Sequence, residues 1–338
     1  MGLPSVFSRY HAEVVAEIKS LISERQSPMY DMMRYHLGWI DAKGRVLNRS
    51  NGKAVRPTLC LLTCEAVGGE YRKAIPMAAA IELVHNYSLI HDDIQDDDIE
   101  RRHQPTVWHL WGKPQAINAG TAMRMLAGVA VRRLEIPCER QVRVQSLIDE
   151  ATIKLIEGQY LDISFETRTD ISVADYLDMI GCKTAALISC SVESGAELGT
   201  DDRRRIAALR EFGWNLGMAF QTKDDILGIW GRQDQTGKPT GNDIRRRKKS
   251  LPVILGLSET SGARHEELQS IYGRETLDEE SVRTVIEVLE SAGALVASQK
   301  ITAAYIQKAR DIIGGVSLEP SFRRDIDELV DFLMDREF

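Results

Sequence analysis

The sequence predicts an all-α protein built as one large helical unit. Three observations lead there. Apolar residues recur at three- and four-residue spacing along nearly the whole chain, and period-two runs bounded by turn residues are hard to find. No low-complexity linker and no internal repeat divides the sequence into halves. Its 338 residues allow about two domains by length alone, but without a compositional break they read as a single domain, 1–338.

Helices are expected near 5–25, 28–40, 55–68, 73–100, 114–134, 139–166, 172–198, 202–231, 249–258, 264–272, 278–292, 294–313 and 319–336. Several ends carry their own signals. Thr276 with Glu279 reads as a capping box, Gly293 stops that helix, and Gly314-Gly315 ends the next. Glu319-Pro320-Ser321 restarts the chain with proline in the first turn. Polar breaks at 41–55, 101–113 and 231–250 are the places where loops carry function, the last being too long for a simple connection.

Composition excludes several classes. Hydrophobic residues make up 43% and charged residues 28%, a globular balance that rules out disorder across the body of the chain. Acidic residues outnumber Lys and Arg by 50 to 43, so a broad basic face for nucleic acid is not expected. No apolar run approaches the roughly 18 residues of a membrane span, and the N-terminal stretch lacks a secretory core. Cys60, Cys64, Cys138, Cys182 and Cys190 form no CxxC and read as small buried residues of a reducing compartment. A cytoplasmic chain is expected.

The most informative stretch is His85-Asn86-Tyr87-Ser88-Leu89-Ile90-His91-Asp92-Asp93-Ile94-Gln95-Asp96-Asp97-Asp98, at the end of a strongly apolar helix. Asp92 and Asp96 lie one turn apart on one face. Crowded carboxylates repel, and a helix C-terminus is the wrong end of the dipole for anions. A divalent cation accounts for the placement, as does a solvated acidic end paired with Arg101 and Arg102. Mg²⁺ suits such carboxylates better than zinc, because it leaves coordination sites for water and phosphate oxygens. A second acidic helix end follows at Asp224-Asp225, and two such ends across a bundle mouth would clamp metal between them.

Basic residues flank both clusters. Lys53 and Arg56 follow Gly52 at a helix entrance, where cations and amide groups suit phosphate. Arg101-Arg102 comes after the first cluster, and Lys183-Thr184 lies inside a later helix. Gly237-Lys238, Asp243 and Arg245-Arg246-Arg247-Lys248-Lys249 come after the second cluster. Carboxylates for metal beside cations for phosphate point to a diphosphate substrate.

These residues resemble the trans-isoprenyl diphosphate synthase (polyprenyl synthetase) family, in particular bacterial geranylgeranyl diphosphate synthases. GKAVRP at 52–57 is similar to the family's GKxxRP, and Asp92-Asp93-Ile94-Gln95-Asp96 to its first DDxxD. Arg101-Arg102, Gly158-Gln159, Lys183-Thr184, Phe220-Gln221, Asp224-Asp225 and the run from Gly237 to Pro252 follow in the family's order. The resemblance implies a helical bundle around a deep central cavity, of the isoprenoid synthase type, usually a homodimer. It implies that Gly52, Lys53, Arg56, His85 and Arg102 hold the diphosphate of isopentenyl diphosphate. Asp92, Asp93, Asp96 and Asp224, with Asp225 behind them, would hold Mg²⁺, three ions in all, on an allylic diphosphate. That diphosphate would be contacted by Arg101, Lys183, Thr184, Gln221, Lys238 and Lys248. The catalytic set is then Asp92, Asp93, Asp96, Lys183, Asp224 and Lys238. Partners are the two diphosphates; no nucleic acid and no membrane span are expected.

The chain departs from the family pattern in three places. Gly228 stands where the second aspartate motif commonly ends in Asp, His103 where Gly often follows the arginines, and Thr121 where Asp is common. Product length should depend on side chains about one and a half turns below the metals. Tyr87, five residues before Asp92, is expected to form a floor, with Ser88 beside it and Val84 one turn further back. One aromatic there points to geranylgeranyl diphosphate (C20), with farnesyl or longer products as alternatives. A class I terpene cyclase has little need for Lys53, Arg56 and His85, and a non-catalytic synthase subunit has no reason to keep the aspartates. Gly228 keeps both rivals open.

Overall fold

A computed structural model describes residues 5–47, 54–168, 170–232, 240–274 and 276–334. The chain begins with α1 (Ser5–Ser23), α2 (Met29–His36) and α3 (Val55–Ala66), followed by the long α4 (Tyr71–Gln95). A two-stranded antiparallel ribbon, β1 (Glu100–Arg101) with β2 (Gln104–Pro105), interrupts the helices. Next come α5 (Val107–Trp111), α6 (Lys113–Val131) and α7 (Cys138–Phe165). The chain continues through α8 (Val173–Ile180), a π-helical turn Gly181–Ala185, α9 (Ala186–Gly199) and α10 (Arg203–Trp230). The short α11 (Asn242–Arg245), α12 (Leu251–Glu259), α13 (Ala263–Tyr272), α14 (Glu279–Ser291), α15 (Ala294–Gly315) and α16 (Pro320–Met334) complete it.

Helix α4 is buried all round, from Ala74, Met77 and Ala78 to Leu83, Val84 and Ile90. An apolar helix without a polar face belongs at the centre of a bundle. It lies between α3 and α6, while α9 packs on α3 and α10, and α15 covers α10. One apolar cluster gathers α1, α3, α4, α6 and α9, and a second joins α8 to α12–α15; Tyr305 touches both. Each buried Leu or Ile adds ~1.5–3 kcal/mol of apolar transfer free energy. Among the described residues no helix is long and apolar enough to cross a membrane.

The structure corrects some boundaries. The helix expected to run to 100 stops at Gln95, because Asp97 takes a left-handed φ of 52° after carboxylates have crowded the C-terminus. The ribbon, α5 and α11 were not expected, being too short to show a period. The cap of α14 is Asp278, which accepts from the Ser281 amide at 2.8 Å, and not Thr276. Pro320 opens the last helix as expected, and Gly293 at φ 71° separates α14 from α15. Of the cysteines, Cys60, Cys64 and Cys190 are buried as expected, whereas Cys138 is exposed.

Candidate active site

The first carboxylates stand at the C-terminal end of α4. Asp93 is buried; its Oδ1 accepts from Arg101 Nε at 2.7 Å, and its Oδ2 has no hydrogen-bond partner. Burial pushes the Asp92 and Asp93 carboxyls up to about 6, with neighbouring carboxylates adding to the rise. Burial also raises Asp96, and Lys183 opposes that rise at both Asp92 and Asp96. The expected shared face of Asp92 and Asp96 is thus the one toward Lys183, while Asp93 turns to Arg101.

Lys183 sits in the π turn, where its Nζ donates to Asp162 Oδ2 at 2.5 Å. Such turns inside α-helices redirect side chains and cluster at functional sites. Burial would raise Asp162, but Lys183 and Lys248 outweigh it and hold the carboxylate below its usual range. Sequence reasoning missed Asp162; its only trace is its position one turn beyond Gly158, in the helix that faces the π turn.

The second carboxylates end α10. Asp225 is buried and fully engaged, accepting at Oδ2 from the Tyr176 hydroxyl and at Oδ1 from Gln221 Nε2 at 3.0 Å. Burial pushes it up to about 6. Gln221 in turn accepts from Thr184 Oγ1 at 2.8 Å, so the Lys-Thr and Phe-Gln pairs meet through their second members. Asp224 is among the carboxylates that oppose the lowering of Arg56 and Lys248 by burial. Burial alone would lower Lys248, yet Asp243, Asp225, Asp162 and Asp224 around it raise it instead. Electrostatic coupling therefore links Asp92 and Asp96 to Lys183, Lys183 to Asp162 through a hydrogen bond, and Asp162 and Asp224 to Lys248.

A basic pocket opens beside this line. Arg56 Nη1 lies 3.5 Å from His85 Nε2, and Arg56 Nε is buried without a partner. Burial and then Arg56, Arg102 and Arg101 press His85 well below its ordinary value, so it stays neutral. His36 joins the pocket unforeseen. It is pushed down to about 3 by burial and by Arg101 and Arg102, and no sequence signal marks it. Gly52, Lys53 and Lys238 lie outside the described residues.

These donors fit a hard divalent cation and a diphosphate. Among the described residues no three His, Cys, Asp or Glu side chains converge into a ready cage. Mg²⁺ needs none, since one or two carboxylates suffice when water and phosphate oxygens complete its shell. The orphaned Asp93 Oδ2 and the unpaired Arg56 donor supply what cation and diphosphate would take.

Behind the carboxylates lies a largely apolar cavity of about 1240 Å³ between α4, α6 and α7. Asp92 and Gln95 sit on its wall, as do Tyr87, Ser88 and Thr121, and it runs on to Gly128, Val129 and Val142. Tyr87 is 5% exposed and stands edge-on to His91, 5.5 Å between ring centres. Val84, expected beside Tyr87 and Ser88, is fully buried in the packed core, while Tyr87 and Ser88 line the cavity.

The polyprenyl synthetase family profile matches residues 38–289. A (2E,6E)-farnesyl diphosphate synthase of Mycobacterium tuberculosis is 36% identical over 330 residues, 97% of this chain and 91% of the relative. A geranylgeranyl diphosphate synthase of the same organism is 39% identical over 281 residues, 79% and 76% of the two chains. The crystal structure of a polyprenyl synthetase from Streptomyces coelicolor superposes with a TM-score of 0.91 at 36% identity, covering 98% of this chain and 99% of that one. A geranylgeranyl pyrophosphate synthetase from Pyrococcus horikoshii gives 0.89, also at 36% identity, over 98% and 99% of the chains. The all-α fold, the ordered motifs and these relatives together place the chain in the polyprenyl synthetase family, as an isoprenyl diphosphate synthase that transfers prenyl groups.

Proposed function

We propose that this enzyme condenses isopentenyl diphosphate head-to-tail with an allylic diphosphate, depends on Mg²⁺ held as three ions, and releases geranylgeranyl diphosphate. The observation that carries the reading is the electrostatically coupled set of Asp92, Asp96, Lys183, Asp162, Lys248 and Asp224, with Asp92 itself on the wall of an apolar cavity. Bound Mg²⁺ would neutralise the diphosphate charge that grows as the allylic carbon–oxygen bond breaks. Asp92, Asp93, Asp96 and Asp224 would hold the metal, with Asp225 fixed behind them by Tyr176 and Gln221. Lys183, Lys248 and Lys238 would bring cations to the same diphosphate, and the hydrogen bond of Thr184 to Gln221 ties the π turn that carries Lys183 to α10.

Arg56, His85 and Arg102, with Gly52 and Lys53, would hold isopentenyl diphosphate so that its double bond faces the allylic cation. The proton lost after carbon–carbon bond formation goes to the departed diphosphate. Apolar cavity walls keep water from the cation. Because the cavity continues past Tyr87 beside Ser88, C20 fits better than C15.

The enzyme works as a homodimer in the cytoplasm, folded as one domain over 1–338. Met125, Val142, Ile153, Ile156 and Tyr160 line the open side of the cavity on α6 and α7 and are exposed there, an apolar face that a second copy would cover, closing the cavity to water. A farnesyl synthase is the second reading, favoured by the relative that matches 97% of this chain.

The deciding experiment incubates the enzyme with isopentenyl diphosphate, Mg²⁺ and C5, C10 or C15 allylic primers, followed by mass spectrometry. An all-trans C20 diphosphate from all three is expected. No use of the C15 primer would establish the farnesyl reading. Allylic substrate consumed without isopentenyl diphosphate would overturn condensation in favour of cyclisation. Asp92→Asn should abolish turnover while the protein stays folded.

A further inference from the structure

Position 228 lies one helical turn beyond Asp224 on α10, so a side chain there would share the Asp224 face. The chain has glycine. A Cβ added to Gly228 would meet Asp243 Oδ2 at 2.1 Å, Cγ at 2.5 Å and Oδ1 at 3.0 Å. The Asp243 carboxylate therefore occupies the space that a residue-228 side chain would take. It arrives there from α11, which is tied to the same stretch of α10: the Gly241 amide donates to the Ile229 carbonyl at 2.9 Å. Gly241 supplies the left-handed φ of 76° that turns the chain into α11. The loop closes behind it with the Lys248 amide on the Asp243 carbonyl at 2.9 Å. Asp243 is also the first of four carboxylates, with Asp225, Asp162 and Asp224, that raise Lys248 against its burial.

We infer that Asp243 supplies to the second metal-binding cluster the carboxylate that position 228 lacks, and that glycine at 228 is what admits it. The inference rests on the Mg²⁺-dependent reading above. The cluster is then divided between a helix and a loop, so metal on the Asp224 face also fixes α11 to α10. The competing account makes Asp243 only the counter-ion of Lys248, in which case its loss would lower stability and leave metal binding alone.

The test measures Mn²⁺ binding in the presence of inorganic pyrophosphate by calorimetry, together with unfolding midpoints without metal. Asp243→Asn should weaken metal binding by about tenfold or more, the range found when groups supporting a metal site are removed. Gly228→Asp alone should weaken it too, because two carboxylates cannot share the space. The exchange Gly228→Asp with Asp243→Gly should restore affinity to within about threefold of wild type, and it remains informative even if a single variant fails to fold. Wild-type affinity in Asp243→Asn, or an exchange variant as weak as Asp243→Asn, would overturn the inference. If the wild type itself took up no metal with pyrophosphate, the functional reading would fail instead.

Discussion

A Cβ on Gly158 would stand 2.2 Å from the Lys183 amide nitrogen and 2.7 Å from its Cα. The backbones of α7 and the π turn are therefore in direct contact, and this contact sets how far Lys183 reaches toward Asp162, one turn along α7. Gly158→Ala forces the two helices apart by part of an ångström. Overpacking of this kind costs about 1–3 kcal/mol. Because Lys183 is displaced with the turn, turnover should fall by about 100-fold, the scale of a misplacement near 1 Å. Steady-state kinetics and denaturation midpoints check both numbers; wild-type turnover would show that Lys183 does not depend on this contact.

That contact also explains what the sequence made legible. Gly158-Gln159 and Lys183-Thr184 were legible as pairs standing in the order of the family they resemble, and the structure adds the reason for the glycine, a backbone approach that leaves no room for a Cβ. The helices of the bundle were equally visible, since apolar spacing repeats over many turns. Asp162, His36 and Tyr176 left no such trace. Asp162 and Tyr176 take their roles from partners 21 and 49 residues away, and His36 from burial beside Arg101 and Arg102, so nothing in their own sequence surroundings distinguishes them from ordinary helix residues. The end of α4 was misread for a related reason. The acidic run keeps helical spacing, and only the left-handed Asp97 breaks it.

The ribbon turn holds Arg102 at φ 54° and His103 at φ 60°, the pair of positive values that a tight hairpin requires. A non-glycine residue pays ~1 kcal/mol for that conformation. The His103 side chain is 89% exposed. His103→Gly should therefore stabilise the protein by a few tenths to about 1 kcal/mol, after the added freedom of the unfolded chain is subtracted, with kcat unchanged. Arg102→Gly relieves the same strain but removes a guanidinium beside His85, so its KM for isopentenyl diphosphate should rise at least about tenfold. Denaturation and kinetics on the two variants separate strain from binding. Equal kinetics would remove Arg102 from the diphosphate pocket.

His36 makes stability depend on pH. Its folded-state value of about 3 lies below the ordinary 6.5, so between these the unfolded chain binds a proton that the folded chain refuses. Stability then rises with pH across that window and is lost as pH falls from 6.5 toward 3. The loss is ~1.4 kcal/mol for each pH unit below 6.5, and His85, also held low, acts in the same direction. Denaturant unfolding at pH 7.5 and 5.5 should show a smaller drop for His36→Gln than for wild type, by about 1 kcal/mol. Identical drops would mean that His36 titrates at its ordinary value in the folded protein.

Product length should respond to Tyr87 before any other residue of the wall. Its ring lines the cavity, with the core residue Val84 one turn below and its hydroxyl buried without a partner. An isoprene unit spans about one helical turn, so Tyr87→Ala should open room for one or two further units. Mass spectrometry should then show products longer than those of the wild type, with Ser88→Phe moving them the other way. If Tyr87→Ala leaves the distribution unchanged, the stop lies deeper, where Arg124 pairs with Asp149 and Gln145 Nε2 donates to the same carboxylate at 2.9 Å. A hydrocarbon tail cannot repay the desolvation of that pair. Arg124→Leu with Asp149→Leu would then be the substitution that lengthens the product, while either change alone would leave one charge unpaired and shorten it.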